Sequence, residues 1–167
     1  MHRRSLLKLG IGSALLLSVA GGTALWLAPS GSGGERERHR AIWRAVTLAV
    51  LDGQLPADPA LRDAEVLAQV DRIQAFVATV PPATRHELSQ LLTVLGSAPG
   101  RRLLAGLDAD WGDASVAEVQ QALDRLRLSR LALRQQAYHA LRDLSAVSFY
   151  ATPTSWAALG YPGPTDI

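Results

Sequence analysis

Few residues of this 167-residue chain carry reactive groups, and cysteine is absent. That absence excludes disulfides, thiolate zinc sites, iron–sulfur ligation and covalent haem attachment. The histidines available for metal or acid–base chemistry beyond the N-terminal segment are His39, His86 and His139. None combines an i, i+4 partner with a second ligand nearby in sequence, so a metal-dependent enzyme would require them to converge in space. Satisfied or exposed histidines are the ordinary reading. Asp108, Asp110 and Asp113 are spaced somewhat like calcium ligands, but the glycine and terminal glutamate of a calcium loop are missing. They are expected to form a solvated acidic loop. No G-x-S-x-G, phosphate-binding loop, G-x-G-x-x-G or kinase motif occurs, which disfavours catalysis by this chain alone without excluding an enzyme, and no cofactor or metal of its own is expected. The arginines from Arg125 to Arg142 form a partly one-sided row that could meet an acidic partner. A solvated helix face is the preferred reading.

The elements that would position any such chemistry begin with a leader, residues 1–30. Arg3 and Arg4 stand together, Lys8 follows, and a run of twenty residues from Leu9 to Ala28 carries no charge. A paired arginine ahead of such a run resembles the bacterial twin-arginine (Tat) export signal, which a receptor on the translocon reads as an address. At ~1.5 Å per residue the run reaches ~30 Å, enough to cross a bilayer core, so residues 9–28 would also serve as an inner-membrane anchor if the leader is kept. Trp26 near the outer end suits the headgroup level. The leader holds three of the seventeen cations and none of the fifteen acids, which leaves a net charge of −1 on the remainder. No nucleic-acid footprint is implied.

Beyond a Gly/Ser linker at 31–34, helical periodicity dominates and strand patterns do not appear. The expected class is all-α, a small helical bundle over 35–149. A first helix is predicted over Glu35–Leu51 with Ile42, Ala45, Val46 and Ala49 inward, ended by Asp52-Gly53. A second is predicted from a cap at Asp63 to Thr79, burying Val66, Val70, Ile73 and Val77. A third covers Thr84–Leu95 with Leu88, Leu91, Leu92 and Leu95 inward, and a short helix runs from Pro99 to Leu104. Ser115-x-x-Glu118 is a capping box, starting a helix with Val116, Val119, Leu123 and Leu126 on its inner side. The last long helix, Ser129–Phe149, places Leu133, Ala137, Leu141 and Leu144 inward. Whether it continues the helix before it or kinks near Ser129 is left open by the pattern.

An extended tail, 150–167, concentrates aromatic, proline and glycine residues. Pro162-Gly163 fits the centre of a type II turn, flanked by Trp156 and Tyr161. Such aromatics either anchor a partner or fold back on the helices, and physics alone leaves both open.

The leader, Asp52-x-x-Leu55-Pro56, Ala137-Tyr138-x-Ala140-Leu141, and the tail residues Tyr150, Pro153, Trp156, Gly160, Tyr161, Pro162, Gly163 and Pro164 together resemble a family. It is that of the small Tat-exported subunits related to gluconate 2-dehydrogenase subunit 3, which accompany flavoprotein dehydrogenases of the glucose–methanol–choline type. The resemblance implies a non-catalytic subunit that binds, helps to mature and co-exports a flavin-dependent large subunit into the periplasm. FAD would belong to that large subunit, and electrons would leave through a further carrier such as a cytochrome c subunit. It further implies that Tyr150, Pro153, Trp156, Tyr161, Pro162, Gly163 and Pro164 meet the partner. The competing reading is an independent membrane-tethered helical scaffold or adaptor of the cell envelope.

Overall fold

The computed structural model describes residues 32–158 and 160–162. The export pair Arg3 and Arg4, Lys8, the apolar run 9–28, and Gly163 and Pro164 of the tail lie outside the described residues. Every regular element among the described residues is helical, so the domain is all-α. No helix among them is long and apolar enough to cross a membrane.

Helix α1, Ser32–Val50, is the hub, packing against the second, third and last two long helices. That role needs a wide apolar arc, and Ile42, Trp43, Ala45, Val46 and Ala49 supply it, all buried. The helix starts within the 31–34 segment, ahead of the expected Glu35. Glu35 accepts a hydrogen bond from Thr93 Oγ1 of the third helix, a tertiary tie that holds the first turn despite its glycines. Gly53, at φ +79°, turns the chain out of α1.

Helix α2, Pro59–Thr79, begins earlier than its expected cap at Asp63. Asp58 is the cap: its carboxylate accepts from Leu61 N at 2.9 Å, and Pro59 sits in the first turn, where its missing N–H costs nothing. Helix α3, Pro82–Gly96, also starts on a proline, two residues before the expected Thr84. Ser97 then caps α4, Ala98–Gly100, accepting from Gly100 N at 3.1 Å. A Cβ at Gly100 would lie 2.0 Å from the Val94 carbonyl oxygen, so only glycine fits there.

From Arg101 to Ala105 the helix widens into a π turn, closed by Gly106 at φ +66°. The following loop is anchored by Trp111, buried, whose indole N–H donates to Leu95 O at 2.8 Å. Helix α5, Val116–Arg127, opens with the expected capping box between Ser115 and Glu118. Hydrogen bonds from the Ser115 hydroxyl and backbone hold the Glu118 carboxyl below its ordinary pKa. A break follows at 128–131, and α6, Ala132–Tyr150, is a separate helix.

One polar seam crosses the apolar interior between α2 and α6. The fully buried Gln69 donates from Nε2 to Ser145 O at 2.9 Å and to Ser148 Oγ at 3.1 Å, while its Oε1 accepts from Arg72 Nε at 2.8 Å. The amide is thereby satisfied on both ends.

Candidate functional site

The last turn of α6 leaves its carbonyls without intrahelical partners. One of them is closed by the tail: the Trp156 indole N–H donates to Tyr150 O at 2.8 Å. Trp156 reaches that position from α7, Pro153–Ala158, which packs on α6. Ser155 within α7 is buried and bonds Thr152 O through its hydroxyl at 2.7 Å.

The end of α7 is closed in turn by Gly160, in the left-handed region at φ +66°. Tyr161 N donates back to Trp156 O at 3.0 Å, the six-to-one bond of a Schellman motif. Its usual hydrophobic contact is here aromatic, with the Tyr161 ring edge-on to Trp156 at 5.5 Å and 74°. Tyr150 meets the buried Phe149 in a second edge-to-face pair at 5.2 Å.

Of the tail residues read as partner-binding, Tyr150, Trp156 and Tyr161 are therefore gathered at one end of α6, and Pro153 and Pro162 are exposed beside them. Val147, one turn before Tyr150, is 48% exposed, Tyr150 39% and Tyr161 50%. Large apolar area thus faces outward here, beside a Trp156 ring tied to the α6 backbone. This surface offers contact area and two phenolic hydroxyls and no nucleophile or base pair. The type II turn at Pro162-Gly163 lies partly outside the described residues.

The remaining candidates do not assemble into a reactive centre. Among the described residues no group of three or more histidines and carboxylates is placed to hold a metal ion. His39 is half-buried on α1, within 3.3 Å of Thr93 Oγ1 and 3.9 Å of Glu35, and burial pushes its imidazole below the ordinary pKa. His86 and His139 are exposed on α3 and α6. The acidic loop has a structural duty that its sequence did not disclose. Asp110 pairs with the buried guanidinium of Arg101, whose Nη2 also donates to Asp108 O at 3.2 Å. The one available signal was Arg101-Arg102 followed at short range by Asp108 and Asp110.

The arginine row is also largely structural. Arg125 donates to Gly106 O and Arg134 Nη2 to Leu103 O at 2.6 Å, satisfying carbonyls freed by the π turn. Arg127 pairs with Asp124, and Arg142 with Asp143, whose hydrogen bond raises the guanidinium pKa further. Arg130 alone in the row is exposed with neither an ion pair nor a side-chain hydrogen bond among the described residues. Comparison of the chain with protein-family models, with curated proteins and with solved structures found no match.

Proposed function

We propose that this chain is a non-catalytic small subunit that binds, helps to mature and co-exports a flavin-dependent dehydrogenase through the Tat pathway. The observation that supports it most is the aromatic end of α6, where the exposed Tyr150 and Tyr161 flank a half-buried Trp156 on a capped helix terminus. Ordered aromatics on a surface are the residues that dominate partner binding elsewhere. The twin-arginine leader supplies the route, and residues 9–28 would anchor the chain to the inner membrane on the periplasmic side. FAD resides in the large subunit on this reading, and a cytochrome c subunit accepts the electrons.

The test is affinity purification of the tagged full-length chain from its own envelope beside a version truncated after Ala151. The full-length chain is expected to retain a large subunit with flavin absorption. The truncated chain should keep its helical circular dichroism, since Trp156 and Tyr161 are partly exposed and their loss costs less than the ~3–5 kcal/mol of deleting a core aromatic. It should retain little or no flavoprotein, because aromatic anchors commonly contribute ~2 kcal/mol or more each. A folded truncated chain that recovers the flavoprotein as well as the intact one sinks the proposal, as does an intact chain that recovers none.

A further inference from the structure

A cavity of about 330 Å3 opens between α1, α2 and α3, far in sequence from the aromatic end. Its floor is apolar, made by the buried Trp43 and Leu92 with the half-buried Val77 and Leu88. Its rim is cationic, made by Arg36, Arg40 and Arg85, and no carboxylate lines it. The three guanidinium groups differ in what already occupies them. Arg40 is committed to Asp71 at 3.1 Å and Gln74 at 3.4 Å. Arg85 makes a single long hydrogen bond, 3.5 Å to Ala78 O, and Arg36 has no ion pair or hydrogen bond among the described residues.

A guanidinium fork matches a carboxylate in shape and charge, and an apolar floor beside it selects for a ligand with a hydrophobic body. The volume falls in the range of small-molecule sites, ~300–1,000 Å3. We propose that this cleft binds a small amphipathic carboxylate, with the apolar body over Trp43 and Leu92 and the carboxylate on the guanidinium groups of Arg36, which is unbonded among the described residues, and Arg85, which is held by one long hydrogen bond. His39 also lines the cleft, and a bound anion would ease protonation of its desolvated ring.

The test uses 4-phenylbutyrate as the probe and the full chain labelled with 15N at tryptophan. The indole signal of Trp43 is expected to shift saturably, while those of Trp111 and Trp156 stay in place. The neutral 4-phenylbutanol should bind about tenfold more weakly or worse, the loss expected when a charge-assisted hydrogen bond is removed. Arg36→Gln combined with Arg85→Gln should weaken the acid by a similar factor, with the unmoved Trp111 signal reporting an intact fold. Arg36→Gln alone breaks no ion pair or hydrogen bond among the described residues and must still weaken binding. Equal binding of acid and alcohol, an acid affinity unchanged in these variants, a shift centred on Trp156, or no saturable shift at Trp43 would each overturn the proposal. The last of these outcomes would leave the cationic rim to an acidic protein partner.

Discussion

His39 is where burial and charge act on one titratable group. Desolvation lowers its pKa from 6.5, Arg38 adds to the lowering, and Glu35 opposes it. The folded chain therefore binds fewer protons than the unfolded chain just below pH 6.5, so stability is fully present above that value and falls as pH drops through the window beneath it. Urea midpoints should fall between about pH 7.5 and about pH 5.5, and His39→Gln should reduce that fall. Equal falls in both proteins would show that another group carries the pH dependence. The sequence left His39 to be either satisfied or exposed, because residue type is visible and burial is not. Arg101 makes the same point from the other side. Nothing local distinguishes it from Arg102, yet one is enclosed and paired with Asp110 while the other is exposed.

Helices were legible wherever their signals are local. Ser115-x-x-Glu118 closes as a capping box, and of the inward positions, Ile42, Ala45, Val46, Ala49, Val66, Val70, Ile73, Leu92, Leu95, Val119, Leu123, Leu126, Ala137 and Leu141 are buried, while Val77, Leu88, Leu91, Val116, Leu133 and Leu144 are half-buried. Errors arose where two local signals competed. Asp63 offers a cap at the head of the apolar periodicity, but Asp58-Pro59 is the stronger start signal, an acceptor followed at once by a proline in the first turn. Asp58→Ala should cost ~1 kcal/mol in chemical denaturation, whereas Asp63→Ala, exposed and inside the helix, should stay within about 0.5 kcal/mol. The reverse ranking would return the cap to Asp63. The π turn at Arg101–Ala105 had no legible signal, because the carbonyls it frees are satisfied by Arg125 and Arg134 from other helices. Such long-range compensation leaves no periodicity behind.

At the scale of the whole domain, apolar stripes alone do not choose one bundle. Helices lined with leucine and valine can slide by a turn with little change in buried area, and the Gln69 seam favours the native register, in which its amide is bonded at both ends. Gln69→Leu should leave unfolding free energy within ~1.5 kcal/mol of the parent, since an apolar residue of similar volume replaces a satisfied polar one. The cost should surface as uniqueness: amide signals of α6 should broaden or double in the variant. A single sharp set at the parent positions would show that packing alone fixes α6. The closure of α6 by the Trp156 indole, and of α7 by Gly160 and Tyr161, bears on rates of encounter. A partner arriving at this end meets backbone groups already bonded and rings already oriented, so little ordering has to precede contact. On the proposed partner-binding reading, association would proceed at the ~10⁵–10⁷ M⁻¹ s⁻¹ of preformed surfaces, and the lifetime of the complex would be set by how slowly the rings disengage.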